Sequence, residues 1–203
     1  MNVQDAVWVD ARSIAAYEEV GDVVVGDATY VTNRFDLPFI NFVGVNHHGQ
    51  SVLLGCALVS HENTNTYKWV FRTLLKCMKG KAPPCILTYQ AGAMRKALSV
   101  VMPSTQHWWC LWHNMQNLPK RLGSYKTYKD FISDLKDMIY DNLCGEEFER
   151  RWTALVLKYE LGLNAWLIYM YEHRRMWVPA YHNDNFWAGK CYFTDYSLLL
   201  YTY

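Results

Sequence analysis

The order of the apolar segments along the chain limits its fold more than any other feature. Three runs of strand length come first, at Asp22 to Tyr30, Phe39 to Asn46 and Ser51 to Val59. Apolar runs rich in β-branched residues, with short links between them, are typical of an antiparallel meander. The next segment changes period, because the apolar residues from Tyr67 to Met78 recur every three or four positions. That spacing predicts a helix with one buried face.

Strands and helices continue to alternate up to residue 113, and then the alternation stops. We predict a strand at Cys85 to Thr88, a helix at Ala91 to Met102 and a strand at His107 to Trp112. Only helical spacing follows, in three segments: Tyr128 to Ile139, Phe148 to Tyr159 and Leu163 to Arg175. The sequence therefore predicts an α/β core of order β-β-β-α-β-α-β in residues 1–113, a helical segment in residues 114–189 and a tail of residues 190–203 without clear periodicity.

Composition and charge exclude several classes of protein. With 51% hydrophobic and 19% charged residues, the chain has the composition of a domain with a buried core. Its 20 basic and 19 acidic residues leave a net charge of +1, so that a contact with DNA would need a local basic patch. The six cysteines are irregularly spaced, which predicts reduced thiols in an intracellular compartment. We find no apolar run long enough to cross a membrane and no signal peptide.

An acid near the end of the first predicted strand is the first candidate catalytic residue. The element order, with Asp27 at that point, resembles the ribonuclease-H-like fold, whose nucleases hold two Mg²⁺ ions between carboxylates from the first strand, the fourth strand and a later helix. Such hard cations require anionic oxygens. Here the fourth strand ends in Thr88-Tyr89-Gln90, and a phenol with a pKa near ~10 is neutral in the cell. Taken alone, Asp27 is more simply explained as a solvated acid at a strand end.

Several segments resemble one plant protein family. They are similar to the Mutator-like transposase domain of the far-red-impaired-response and far-red-elongated-hypocotyl proteins, which are transcription regulators derived from a DNA transposase. The resemblance is carried by Trp8 to Ser13, Asp27 to Asn33, Phe42 to Gln50, Leu54 to Leu58, Cys110 to His113, Trp177 to Tyr181 and Phe186 to Gly189. The segment Phe42 to Gln50 (FVGVNHHGQ) is the most specific of these.

The chain departs from that family at its acids. The resemblance implies Thr-Asp-Gln-Asp at the end of the fourth strand, where this sequence has Thr88-Tyr89-Gln90-Ala91. It also implies a third acid in a Gln-Arg-Ser-Glu-Ser element after Phe-x-Ala-Gly, where Lys190-Cys191-Tyr192 follows here. Asp27 would then be a vestige of a catalytic site whose Mg²⁺ ions are lost. The resemblance implies no cofactor within these residues, whereas the zinc-binding modules of full-length family members would hold zinc.

A cysteine and a histidine form a motif of metal-ligand type. Cys110 and His113 are spaced as Cys-x-x-His, and His107 adds an imidazole three residues before the cysteine. Thiolate and imidazole bind Zn²⁺, but a structural zinc site needs four ligands, and no second pair lies nearby in the sequence. The pair is therefore a candidate metal site, and a buried thiol beside a hydrogen-bonded histidine is the simpler interpretation.

Four basic residues within ten positions are the candidate nucleic-acid contacts: Lys120, Arg121, Lys126 and Lys129. Tyr125 and Tyr128 lie among them, and cations interleaved with aromatic rings suit a phosphate backbone and stacked bases. Three aspartates follow at once, so a solvated helix face is the alternative interpretation.

The resemblance and the missing acids together predict a function without catalysis. We expect a domesticated transposase domain that acts in the nucleus as a transcription-regulatory interaction module, in contact with other transcription regulators or a second copy, and with DNA as a further partner. We expect no membrane contact and no small-molecule substrate. Two alternatives stay open: a residual metal-dependent nuclease that combines Asp27 with another acid such as Glu160 or Glu172, and a non-functional truncated fragment of a transposon-derived gene.

Overall fold

The computed structural model describes residues 5–29, 37–46, 48, 50–141 and 144–182. Within them the chain forms two compact units, which divide between Cys110 and Leu111. The first unit is a mixed six-stranded sheet with helices, and the second is helical. This confirms the predicted fold class, a mixed α/β sheet with flanking helices followed by a helical segment. The predicted boundaries at residues 113 and 189 stay predictions, and the tail of residues 190–203 lies outside the described residues.

The sheet has the strand order β1-β4-β3-β2-β5-β6. Its strands are β1 (Ala6–Trp8), β2 (Val23–Thr29), β3 (Phe39–Val45), β4 (Ser51–Leu58), β5 (Cys85–Thr88) and β6 (Gln106–Trp109). β2, β3 and β4 form the predicted antiparallel meander, and β1 extends it at one edge. β5 runs parallel to β2, and β6 runs parallel to β5. The carboxyl ends of three neighbouring strands therefore lie along the same side of the sheet.

Three helices accompany the sheet, namely α1 (Ala11–Val20), α2 (Thr64–Cys77) and α3 (Gly92–Val101). α2 begins after Asn63, whose side-chain oxygen accepts hydrogen bonds from the N–H groups of Asn65 (2.9 Å) and Thr66 (3.0 Å). The predicted apolar face of α2 is buried, with Tyr67, Val70, Phe71 and Leu74 at most 3% exposed. This face anchors the helix in the core of the first unit and fixes where its first turn lies.

β1 and α1 are absent from the sequence-based prediction. β1 has three residues, which is too short for a period to appear. α1 begins after Asp10, whose carboxylate accepts a hydrogen bond of 2.7 Å from the N–H of Ser13. Its only large buried apolar residues are Tyr17 and Val20, so it lacks the long stripe that identifies α2.

The predicted strand His107 to Trp112 is wrong at its carboxyl end. β6 ends at Trp109, and Leu111 and Trp112 begin α4 (Leu111–Leu122). A short apolar run has no period that separates a buried strand from the first turn of a buried helix. Pro119 lies inside α4 and hides this helix further, because proline usually ends a helix.

The second unit contains α4, α5 (Tyr128–Tyr140), α6 (Gly145–Lys158) and α7 (Ala165–Glu172), followed by 3₁₀ turns at Arg174–Met176 and Pro179–Tyr181. α5 and α6 confirm two predicted helices, whereas α7 is shorter than the predicted helix from Leu163 to Arg175. The core of this unit is aromatic, since the ring of Phe148 lies 5.7 Å from that of Trp152 and 6.2 Å from that of Trp177. In the part of the chain that the structure describes, no helix has the length and apolar content to span a bilayer.

Candidate functional site

Asp27 and Tyr89 are neighbours at the carboxyl ends of two parallel strands. Gly26 of β2 pairs with Thr88 of β5. The residues that follow this pair are Asp27, in β2, and Tyr89, directly after β5. Val23, Val24 and Val25 are at most 3% exposed and hold β2 in the core, whereas Asp27 is half-buried where the strand approaches its end. The structure therefore brings together the two positions that the sequence analysis singles out as the first and second acids.

A carboxylate and a second phenol hold the side chain of Tyr89. The Tyr89 hydroxyl donates a hydrogen bond to Oε1 of Glu62 and lies 2.8 Å from the hydroxyl of Tyr67. The Tyr67 hydroxyl donates to the same Glu62 oxygen over 2.7 Å. Glu62 belongs to the connection between β4 and α2, and Tyr67 to the start of α2. We call Glu62, Tyr67 and Tyr89 the tyrosine–glutamate cluster, which joins the end of β5 to the start of α2.

The surroundings keep both phenols of this cluster neutral. Burial raises the pKa of Tyr89, and the hydrogen bond to Glu62 and the negative charges of Glu62 and Asp27 raise it further. Burial likewise raises the pKa of Tyr67, together with its close contact with the Tyr89 hydroxyl and its hydrogen bond to Glu62. A neutral phenol gives a divalent cation no anionic oxygen. The second acid position therefore holds a group that cannot take over the role of a carboxylate.

Thr88 connects this site to β6. Its hydroxyl donates to the carbonyl of Tyr89 (2.9 Å) and so accepts a hydrogen bond from Nε2 of His107 (2.8 Å). With the proton on Nε2, Nδ1 of His107 is a buried acceptor that has no hydrogen-bond partner among the described residues. Burial and the positive charge of Arg95 lower the pKa of His107 to about 4. The imidazole is therefore neutral at cellular pH and acts as a donor to β5.

The described residues do not fit the two-metal site that the fold family implies. Nowhere within residues 5–29, 37–46, 48, 50–141 and 144–182 do three or more His, Cys, Asp or Glu side chains come together so as to hold a metal ion. The neighbour of Asp27 on β5 is a phenol, and that phenol is hydrogen-bonded to Glu62. We therefore derive no metal-dependent step at this side of the sheet.

The candidate zinc pair lies where β6 leads into α4. Cys110 is 2% exposed, and its backbone N–H donates a hydrogen bond of 2.8 Å to the carbonyl of Thr88. His113 lies in the first turn of α4, where its ring meets that of Trp112 edge to face at 4.8 Å. The two residues belong to different compact units. A zinc site at this pair stays a prediction. Among the described residues, no third His, Cys, Asp or Glu side chain joins the pair to form a group that could hold a metal.

All four basic candidates are exposed on one segment of the helical unit. Lys120 and Arg121 lie in the last turn of α4, Lys126 in the connection and Lys129 in the first turn of α5. No ion pair within the described ranges includes any of them. The basic residues with carboxylate partners at 2.6 to 2.9 Å in this unit are Arg150, Arg151, Lys158 and Arg174. The segment from Lys120 to Lys129 therefore keeps its positive charge, next to the single carboxylate of Asp130.

The acid that contacts Tyr89 is not one of the two that the sequence analysis offers as a partner of Asp27. Glu160 and Glu172 are exposed residues of the helical unit, and neither joins a metal-holding cluster in the described chain. Glu62 and Tyr67 are the site residues that the sequence analysis misses. Tyr67 is part of a predicted buried stripe, which conceals its polar end. Glu62 stands in a short connection without any motif, so no sequence signal could have identified it.

A match to a family model indicates the class of protein. Residues 23–117 match the family described as the MULE transposase domain. The match begins at the first residue of β2 and ends within α4, so that it includes Asp27, Tyr89, Cys110 and His113. Over these residues the chain is similar to MULE transposase domains.

Comparison with curated proteins gives the closer relationship. The chain is 37% identical over 188 residues to Protein FAR1-RELATED SEQUENCE 4 and 38% identical over 188 residues to Protein FAR-RED IMPAIRED RESPONSE 1, both from Arabidopsis thaliana. Each match covers 92% of this chain but only 26% and 23% of the relative, so the chain spans about a quarter of these proteins. The predicted relationship is confirmed, and the chain is homologous to the FAR1 and FAR1-related sequence proteins.

Proposed function

We propose that this chain is a MULE transposase domain without catalytic activity, which acts in the nucleus as an interaction module of transcription regulation. One observation carries the loss of catalysis: the second acid position holds Tyr89, whose phenol is hydrogen-bonded to Glu62. A two-metal mechanism needs carboxylates that hold both cations, because the pair stabilises the attacking and the leaving oxygen together. Asp27 alone cannot hold such a pair.

Homology supports the regulatory part of the proposal. This chain is homologous to the FAR1 and FAR1-related sequence proteins over 92% of its length. The family that its motifs resemble consists of transcription regulators derived from a DNA transposase. A chain that keeps the core of the fold without its metal site can still present binding surfaces to other molecules. The partners we propose are other transcription regulators or a second copy of this chain, with neither a membrane surface nor a small-molecule substrate.

Tethering the chain to a promoter tests the regulatory role. The full chain, fused to an unrelated DNA-binding domain, is expected to change transcription of a reporter that carries the matching site in plant cell nuclei. A Phe71→Ala variant, which opens a cavity at a fully buried position, is the folding control and is expected to lose the effect. A native fusion that is folded, nuclear and without effect on the reporter would contradict the proposal and leave the fragment hypothesis standing.

DNA is the further partner that we propose, with the exposed segment from Lys120 to Lys129 as its contact. The four cations of this segment have no carboxylate partner in an ion pair of the described chain, and Tyr125 among them is 43% exposed. Cations neutralise phosphates whatever the base sequence, and an exposed ring can stack on a base. We therefore propose a contact with the DNA backbone that is independent of sequence.

The salt dependence of binding tests this contact. Each neutralised phosphate contributes about −0.9 to the slope of log K against log salt, so four contacts predict a slope of about −3.6 on duplex DNA. Replacement of Lys120 and Lys129 by alanine is expected to flatten the slope by about 2 units. Lys136→Ala, at an exposed position of α5 outside the segment, is the matched control and is expected to leave the slope unchanged. A slope that the double replacement does not alter would contradict the contact.

A further inference from the structure

The helices α2 and α3 share one outer surface of the first unit. Both bury their apolar sides in a single core, where Phe71 and Leu74 of α2 and Leu98 of α3 are at most 3% exposed. Each residue turns an α-helix by about 100°, so the residues opposite these apolar sides face outward. We call the exposed residues of the two helices the α2–α3 surface, which consists of Asn65, Trp69, Arg72 and Lys76 on α2 and of Arg95, Lys96, Ser99 and Val100 on α3.

The α2–α3 surface carries positive charge and no negative charge. With the half-buried Lys68 at its border, its cations are Lys68, Arg72, Lys76, Arg95 and Lys96. The sequence has no aspartate or glutamate between Glu62 and Asp130, a segment that includes both helices. None of these cations takes part in an ion pair within the described ranges of the chain. The described residues therefore leave the charge of this surface without carboxylate partners.

Helix stability does not account for the places of these cations. The helix dipole favours acids in the first turn and cations in the last turn. Neither α2 nor α3 has an acid in its first turn, whereas α5 and α6 do. Lys76 lies in the last turn of α2, but Arg95 and Lys96 lie in the first half of α3. The dipole therefore explains Lys76 and gives no reason for the other cations.

Apolar side chains lie among the cations of the α2–α3 surface. Trp69 on α2 is 40% exposed, and Val100 on α3 is 54% exposed. The phosphates of a DNA duplex would pair with the cations but would leave both apolar groups in water. A peptide in which acidic and apolar residues alternate offers partners to both, and Trp and Arg are the side chains that contribute most at protein interfaces. The surface therefore favours an acidic, partly apolar peptide over DNA.

We propose that the α2–α3 surface binds an acidic segment of a partner protein, in which Asp and Glu residues alternate with apolar side chains. The carboxylates of the segment pair with the cations, and its apolar side chains pack on Trp69. The inference rests on the proposed role as an interaction module, and it adds where the partner binds and which chemistry the partner offers. It concerns the first unit alone and is independent of the DNA contact proposed for the segment from Lys120 to Lys129.

Fluorescence anisotropy of a labelled peptide with the repeat Asp-Phe-Glu-Leu tests the proposal on the full chain. The native chain is expected to bind the peptide, and to bind it more weakly as salt is added, because salt screens exposed charges. Arg72→Gln combined with Lys76→Gln is expected to weaken binding about tenfold at low salt. Trp69→Ala is expected to weaken binding about tenfold at low and at high salt, because the ring carries no charge.

Arg12→Gln combined with Lys136→Gln is the matched control. Both residues are exposed cations on helices outside the α2–α3 surface, so the control loses the same net charge and is expected to bind the peptide as the native chain does. A peptide with the repeat Lys-Phe-Lys-Leu keeps the apolar residues and reverses the charge. The native chain is expected not to bind it.

Three results would overturn the inference: no binding of the acidic peptide by the native chain, equal weakening by the two charge-removing variants, or unchanged binding by a folded Trp69→Ala chain. If Trp69→Ala does not fold, the charge variants decide alone, since their positions are exposed. Loss of duplex DNA binding in the chain with Arg72→Gln and Lys76→Gln, without peptide binding by the native chain, would assign the surface to DNA instead.

The transcription reporter separates this inference from the proposed function. If the tethered native chain changes transcription but does not bind the acidic peptide, the inference is wrong and the regulatory role stands. If the tethered chain is folded, nuclear and without effect, the regulatory role itself is wrong.

Discussion

The hydroxyl oxygens of Tyr67 and Tyr89 lie 2.8 Å apart, which joins the first residues of α2 to the end of β5. Both hydroxyls also donate to one carboxylate oxygen of Glu62. Ribonuclease-H-like nucleases place a metal between carboxylates at this side of the sheet, and this chain has a hydrogen-bonded cluster of two neutral phenols and one acid. The cluster joins the two elements, and in the part of the chain that the structure describes no three His, Cys, Asp or Glu side chains come together to hold a metal.

Removal of the Tyr89 hydroxyl tests how much this cluster stabilises the fold. Tyr89→Phe keeps the ring in place and leaves Glu62 with Tyr67 as its phenolic donor. We expect a loss of about 1–2 kcal/mol in the free energy of unfolding, because a hydrogen bond to a charged acceptor is lost. Urea denaturation measures the change.

The matched control for that experiment is Tyr125→Phe. Tyr125 is 43% exposed, and its hydroxyl accepts only a long contact of 3.4 Å from Asn164. We expect the control to change the free energy of unfolding by less than about 0.5 kcal/mol. Equal effects of the two substitutions would show that the Tyr89 hydroxyl contributes nothing specific.

A glycine in the helical unit tests the packing of its aromatic core. A Cβ on Gly145, the first residue of α6, would lie 2.6 Å from Cε1 of Tyr181. That ring cannot easily move, because its hydroxyl donates to Glu149 (2.9 Å) and accepts from Arg174 (3.1 Å). We expect Gly145→Ala to lower the free energy of unfolding of this unit by about 1–3 kcal/mol in chemical denaturation.

Gly92→Ala is the control for that substitution. Gly92 is likewise the first residue of its helix, α3, but a Cβ there meets no atom within 4 Å. Alanine forms helices better than glycine, so we expect a neutral effect or a gain of up to about 1 kcal/mol. A loss at Gly92 as large as at Gly145 would contradict the argument from the Tyr181 ring.

The stability of the protein is expected to fall on mild acidification. Burial lowers the pKa of His107 and of His182 to about 4, and the charge of Arg95 contributes at His107. An unfolded chain protonates these rings near pH ~6.5, so between pH ~6.5 and ~4 it binds protons that the folded chain does not. The contribution of the two histidines is complete above that window and declines within it, by at most about 1.4 kcal/mol per histidine for each pH unit of acidification.

Urea denaturation at pH 7 and pH 5 measures this dependence. His107→Gln keeps a donor for Thr88 but cannot take up the proton, so we expect a smaller difference between the two pH values than in the native chain. His61→Gln, at an exposed position, is the matched control and should leave the difference unchanged. A native chain as stable at pH 5 as at pH 7 would mean that the buried rings do not resist protonation.

Much of the fold follows from periodicity, and the exceptions have physical reasons. The stripe from Tyr67 to Leu74 predicts α2 because every member enters the core, and the three meander strands are apolar on the buried side. α1 escapes prediction because only Tyr17 and Val20 anchor it with large apolar groups, and α4 because Pro119 lies within it. The periodic spacing of apolar residues reflects which side of an element is buried. It therefore predicts little for an element that buries few large apolar residues.

The candidate site could be predicted only in part. Asp27 and Tyr89 are recognisable because Asp27 lies near the end of one predicted strand and Tyr89 directly follows another, and parallel strands bring their carboxyl ends together. Glu62 could not be found, since its place beside Tyr89 depends on how the cap at Asn63 and the buried face of α2 direct a connection that has no pattern of its own. The place of a residue at a strand end can be predicted from the sequence. A contact made by a residue of a connection, such as Glu62, depends on the tertiary fold.

Cleavage of supercoiled plasmid DNA in the presence of Mg²⁺ or Mn²⁺ tests the central claim most directly. If Tyr89 has ended the chemistry of this site, the native chain nicks plasmid no faster than an Asp27→Ala chain with either ion. Nicking by the native chain that requires the ion and disappears in Asp27→Ala would contradict the account, because it would mean that Asp27 still works with an acid other than the one lost at Tyr89.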